Sequence, residues 1–197
     1  VELAGRNQSI EGGPFLWVRH AKASEIDVTD DGEMASWTAV HDGYMSLDPP
    51  AMHRRSVRLD RIKRCVEIVD NITGGRHDLR LAFHCGPDVE AELDEALAVL
   101  RWPREPAGGM ARLELPRQLR WSLHKGETDP ILGWYAHGLG RRVAAFTLVG
   151  HGRSASEVAL RTTLTFSGDE DAPKISLSRG TSVATGGRKD ATRAEAT

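Results

Sequence analysis

Apolar side chains in this chain recur at every second position, in short runs that end at Gly, Pro, Asp or Asn. That period sends one set of side chains to each face of a strand, so a run can be buried only by packing one face against another sheet. Leu79, Leu81, Phe83 and Cys85 alternate with Arg80, Ala82 and His84, and Val66, Ile68 and Ile72 keep the same step. Leu119, Trp121 and Leu123 alternate with Arg120, Ser122 and His124, and Val158, Leu160, Thr162, Leu164 and Phe166 form a further set. Turn chemistry separates such runs at Gly12-Gly13-Pro14, Asp30-Asp31-Gly32, Asp48-Pro49-Pro50, Thr73-Gly74-Gly75, 106–109 and Gly150-His151-Gly152. Helical periodicity is nearly missing. Roughly ten or more short strands at this spacing predict an all-β fold, an antiparallel β-sandwich. In 89–102 two periods compete: the helix formers of 92–101 allow a short helix, whereas the alternation of Val89, Ala91 and Leu93 favours a strand hairpin.

The chain of 197 residues is long enough to bury about 70 % of its unfolded surface without a staple. One sandwich domain is expected over 1–168, followed by a polar tail, 169–197, whose last part offers almost nothing to bury and reads as disordered. The two cysteines, Cys65 and Cys85, read as small buried apolar groups rather than as a bridge, which would need their strands to be neighbours. With 26 basic and 28 acidic residues the net charge is -2, so no global positive field gathers nucleic acid or an anionic membrane, although a local basic patch can still hold an acidic polymer. No apolar run approaches the ~20 residues of a membrane span. Val1 is not preceded by Met or by the sections of a secretory signal, as expected of a segment from inside a longer gene product.

Functional residue types are densest between Arg6-Asn7-Gln8, Trp17-Val18-Arg19-His20 and Trp37 to Tyr44. Indole faces stack on sugar rings, an Arg fork matches a carboxylate, and His or Tyr moves protons, a mixture suited to a sugar-acid ligand. Gln8, Trp17 and Arg19 are the candidate substrate contacts; His41 and Tyr44 are the candidate catalytic pair. Against this stands the plainer reading of Trp17, Trp37 and Trp121 as sandwich core and of His53-Arg54-Arg55 as a solvated strand face. His41 and His20, with Asp42, are candidate Zn²⁺ ligands, and His77, His84 and Cys85 are a second combination of ligand types. The chain has no Gly-rich phosphate loop, no Gly-x-Ser-x-Gly elbow and no Cys-x-x-Cys pair, which removes nucleotide, serine-hydrolase and zinc-ribbon readings.

The run Val1 to Ser9, then Gly13-Pro14-Phe15-Leu16-Trp17 with Arg19-His20-Ala21-Lys22-Ala23, then His41-Asp42-Gly43-Tyr44 and His53-Arg54-Arg55, resembles in order and spacing the C-terminal domain of heparinase II/III-like polysaccharide lyases. Gly126 to Tyr135 resembles a late segment of one bacterial branch, and the resemblance covers about residues 1–166. It implies an N-terminal α/α toroid, absent from this chain, with an acidic polysaccharide bound between toroid and sandwich. The implied reaction is β-elimination at a uronic acid of a glycosaminoglycan, alginate or similar polymer, outside the cytoplasm in periplasm or medium. The toroid would hold most acid and base groups, leaving the isolated chain inactive and Gln8, Arg19 and Tyr44 as cleft contacts. Some relatives hold a structural Zn²⁺ with two His and one Asp. His41 resembles the last ligand, and His20 is the candidate substitute for the Asp, which is missing from Leu16-Trp17-Val18-Arg19-His20. The competing readings are a carbohydrate-binding module and a purely structural sandwich.

Overall fold

The computed structural model describes residues 1–13, 16–103 and 108–167, and among these every regular element is a strand. In chain order they begin with β1 (Glu2–Leu3), β2 (Ile10–Gly13), β3 (Leu16–Arg19), β4 (Ala23–Asp30), β5 (Met34–His41) and β6 (Ala51–Asp60). β7 (Cys65–Gly74), β8 (Asp78–His84), β9 (Glu90–Asp94), β10 (Leu97–Trp102), β11 (Gly109–Glu114) and β12 (Arg120–Lys125) follow. The last are β13 (Glu127–Thr128), β14 (Ile131–Leu132), β15 (Trp134–Gly138), β16 (Arg141–Ala144), β17 (Phe146–Arg153) and β18 (Glu157–Ser167). The tail expected over 169–197 lies outside the described residues.

Two antiparallel sheets make the sandwich. One has eight strands in the order β4-β5-β6-β7-β18-β11-β10-β9, the other four in the order β1-β8-β17-β12; β2–β3, β13–β14 and β15–β16 are separate ribbons. The competition over 89–102 resolves as a hairpin, with Leu97 opposite Asp94 and a left-handed Glu95 at the turn. Alternation prevails over helix propensity because Ala98 joins the core in the same layer as Leu113 and Leu148. Cys65 and Cys85 are free, Cys65 on β7 of the large sheet and Cys85 directly after β8 of the small one, and both are half-buried rather than buried as expected.

The core explains how the sheets sit. Leu3, Leu79 and Leu81 of the small sheet meet Ala51, Ile72 and Leu160 of the large one, and further along Leu148 meets Ala98 and Leu113. Four strands cannot cover eight. The contact spans the β6 to β10 part of the large sheet, and β4 and β5 extend beyond it. There the inward-phase residues Val28 and Trp37 remain 65 % and 40 % exposed, although Trp37 is in register with Val57 and Ile68 of the covered strands. Trp37 is therefore not the core residue the plain reading made it, and neither is Trp17, 49 % exposed on the β2–β3 ribbon. Trp121 is core: it stacks on Phe83 at 6.1 Å and its indole N–H donates to Pro116 O at 2.9 Å.

Trp121 lies flat over the bare backbone of Gly150, where a Cβ would come within 2.8 Å of the ring. Gly150→Ala is expected to displace the indole, strain the Pro116 hydrogen bond and cost about 2 kcal/mol, read as a lowered urea midpoint with an unchanged m-value.

Candidate functional site

Three neighbouring inward rows build a polar site at the margin of the covered region. His41 of β5, His53 of β6 and Ile72 of β7 form one row; Ala39, Arg55, Asp70 and Leu160 form the next; Trp37, Val57, Ile68 and Thr162 form the third. The sequence step that buries Ala51 and half-buries Val57 also turns His53 and Arg55 inward, and the step of Val66, Ile68 and Ile72 buries Asp70. This corrects the reading of His53-Arg54-Arg55 as a solvated face: His53 is 6 % exposed and Asp70 0 %, while Arg54 alone of the three points outward. The signal was present in the phase of the strand. Charge at positions 53 and 55 masked it.

Asp70 accepts a fork from Arg55, Nε to Oδ1 at 2.7 Å and Nη2 to Oδ2 at 3.0 Å, and His53 Nε2 meets Oδ1 at 2.6 Å. His53 Nδ1 lies 3.0 Å from His41 Nε2, and the Gly43 amide donates to His41 Nδ1 at 3.2 Å. These contacts assign the protons. Because the Gly43 N–H occupies Nδ1, neutral His41 carries its proton on Nε2 and donates to His53 Nδ1, and His53 in turn donates from Nε2 to the carboxylate. All four groups are thus oriented by one chain of hydrogen bonds running from a turn at the surface to the buried Asp70.

Electrostatics fit that assignment. Burial pushes Asp70 upward, but the hydrogen bonds from His53 and Arg55 outweigh it and hold the carboxyl below its ordinary value. Burial, followed by the neighbouring His53, lowers His41 to about 4, so its ring is neutral near neutral pH. Tyr44 is 1 % exposed, donates its hydroxyl to Val1 O at 2.7 Å and is raised by burial to about 12, with the Glu2 charge contributing.

Above the chain of hydrogen bonds opens a cavity of about 310 Å³, lined by Gln8, Trp37, His41, His53 and Arg55 over a floor of Ala23 and Ala39. Of the residues singled out in the sequence, His41 and Gln8 line it together. Tyr44 stands behind His41, ring centroids 5.4 Å apart, with its hydroxyl turned into the core. Arg19 lies outside the lining and braces the turn that holds His41: its Nη2 donates to Gly43 O at 3.0 Å and to Ser46 Oγ at 2.8 Å. The nearby Lys22 amide donates to Asp42 Oδ1 at 2.8 Å. Trp17 and His20 neighbour each other at 5.9 Å on the β2–β3 side. Sequence reasoning passed over Arg55, His53 and Asp70.

The residues do not fit a metal. Both His41 ring nitrogens are engaged, His20 packs beside Trp17, and among the described residues no group of three or more His, Cys, Asp or Glu could hold an ion. The second combination is dispersed as well. His77 bonds Pro49 O at 2.7 Å at one end of β8 and His84 bonds Thr147 Oγ1 at 3.0 Å at the other.

Two outcomes are expected. Asp70→Ala leaves Arg55 and His53 without their acceptor and lowers stability by about 3 kcal/mol or more, measured by urea denaturation. Because the folded-state pKa of His41 is depressed, the unfolded chain takes up a proton first on acidification. Stability then falls as pH drops from about 6.5 to about 4. In His41→Asn that part of the pH dependence of the urea midpoint should be reduced.

The same architecture occurs in solved structures. Over 78 % of this chain and 23 % of the other, it superposes on heparan sulfate lyase HepC from Pedobacter heparinus with a TM-score of 0.60 and 14 % identity. Over 79 % of this chain and 23 % of the other, it superposes on the heparinase III BT4657 gene product with a TM-score of 0.57 and 18 % identity. The chain therefore spans less than a quarter of the length of these structures, and the likeness is one of fold. No curated protein matches it. The model of the family described as heparinase II/III-like, C-terminal, matches residues 1–178, and the chain belongs to that family.

Proposed function

We propose that this sandwich is one wall of the substrate cleft of a polysaccharide lyase that cleaves uronic-acid-containing chains by β-elimination, the other wall being an N-terminal α/α toroid. The observation that carries the reading is the Trp37-lined cavity with Arg55 held at its side by the buried Asp70. In β-elimination the uronate carboxylate must be neutralised before the C5 proton becomes acidic enough to remove, and the 4-O-linked sugar then leaves to give an unsaturated end. Arg55 spends Nε and Nη2 on Asp70, and Nη1 lies outside that fork. A guanidinium oriented in this way can donate to a substrate carboxylate with little loss of side-chain freedom. The face of Trp37 suits a pyranose ring, and Gln8 supplies an amide for hydroxyl groups.

His41 enters this reading as a neutral ring that positions the cavity wall. With both nitrogens engaged it serves as base only if the Gly43 or His53 bond opens. That observation favours, as a second reading, a sandwich that binds the polysaccharide while the toroid supplies the proton transfers.

The test is the ultraviolet absorbance of unsaturated uronate released by the enzyme in which this sandwich is joined to its toroid. Arg55→Lys should lower kcat/KM about tenfold or more, the loss of a charge-assisted hydrogen bond being worth ~1.5–3 kcal/mol, and Trp37→Ala should lower it through loss of the stacking face. Unchanged kcat/KM in both would remove the cavity from the substrate path. His41→Asn separates the two readings: a fall in kcat beyond any change in KM assigns His41 to the chemistry, and a change in KM alone assigns it to binding.

A further inference from the structure

The outer face of the four-stranded sheet carries a second polar array, away from the Trp37 cavity. Glu2, Arg80, His151 and Arg120 are in register across all four strands, β1, β8, β17 and β12, and Arg153 stands opposite Asp78 one step along the same face. Towards the other end of the sheet the polar groups satisfy one another: Ser122 Oγ and Glu127 Oε1 hold the two nitrogens of His124 at 2.7 and 2.8 Å, and Thr147 holds His84. At the Arg80 end they do not. Arg80 is paired with Glu2 at 3.1 Å and Arg153 with Asp78 at 3.1 Å, but Arg120 and His151 have no partner among the described residues. These side chains line an open cavity of about 670 Å³, flanked by the left-handed turn at Ala4 and Gly5.

We propose that this face is a second binding site for an anionic oligosaccharide, holding sulfate or carboxylate groups through Arg120 and His151 with Arg80 and Arg153 beside them. The ligand class rests on the polysaccharide reading above; the location does not. Arg80 and Arg120 lie two strand spacings apart, about 10 Å, with His151 between them. That spread fits successive anionic groups on a polymer better than one small ion, and the partial pairing of Arg80 and Arg153 leaves the row with a surplus of donors. Such a site would keep a long chain on the enzyme between cuts.

Amide shifts in nuclear magnetic resonance spectra of the 197-residue chain test it, with three probes: a heparin-derived oligosaccharide, an oligogalacturonate carrying carboxylates only, and inorganic sulfate. Both oligosaccharides, or the sulfated one alone, should shift the amides around Arg80, Arg120 and His151. In the double variant R120A/H151A those shifts should need at least fivefold more ligand, while any shifts around Trp37 persist. Absence of shifts at this face with both oligosaccharides, or the same titration in R120A/H151A as in the parent, would overturn the site. Inorganic sulfate shifting this face at the same concentration as the oligosaccharides would overturn the spanning mode. Shifts here with none around Trp37 would support this site and count against the cavity reading.

Discussion

Asp70 keeps its charge at a position without solvent, and a buried carboxylate is tolerable only when donors surround it. Much of the site follows from that requirement. Arg55 supplies the fork, His53 the third donor, and the need of His53 for a donor of its own fixes the ring of His41. The chain then ends at Gly43, packed under Gln8, where a bare backbone is required: a Cβ there would lie 2.5 Å from the Gln8 carbonyl. Arg19 clamps the same turn from outside through Gly43 O and Ser46. Charge at the centre of the sandwich is thus converted into fixed geometry at its margin.

The second constraint is the unequal width of the sheets. An eight-stranded sheet against a four-stranded one leaves inward-facing positions uncovered, and the chain has put Trp37 there rather than a small polar residue. An indole at a covered position would be core; the same indole on β5 is a cavity wall. The polar chain of hydrogen bonds lies just where cover ends, so one end is dry enough to hold Asp70 and the other is open to a ligand. Position within the sheet, more than residue type, separates the roles of Trp37 and Trp121.

Most of the architecture was legible because period two is a local property. Strand runs, turns and even the hairpin over 89–102 can be read from a few neighbouring residues. The site was less so. Alternation tells which residues share a face but not which sheet covers that face, so Trp17 and Trp37 looked like core. Polar types at 53 and 55 suggested solvent and Asp70 drew no reading, although Ala51, Val57, Ile68 and Ile72 already fixed their direction. A cluster formed from strands joined by register is invisible to spacing along the chain: Arg55 and Asp70 are fifteen residues apart and meet only because β6 and β7 form a hairpin. His41 stood out because polar neighbours surround it in sequence, yet its partner is His53 on the adjacent strand.

On the proposed reading, how the sandwich can contribute to elimination follows from where its titratable groups are used. Tyr44 has its hydroxyl in the core and is held near 12; His41 is held near 4 with both nitrogens engaged. A general base works best with a pKa close to the working pH and a free lone pair towards the substrate. Neither group meets both conditions in this arrangement, whereas Arg55, its charge shared with Asp70, offers a fixed Nη1 donor that a carboxylate can accept from. On the proposed reading, the sandwich therefore acidifies the substrate and the toroid moves the proton. That division places preorganisation on the rigid sheet, where a buried ion pair can maintain it, and leaves the proton-transfer groups on the opposite wall.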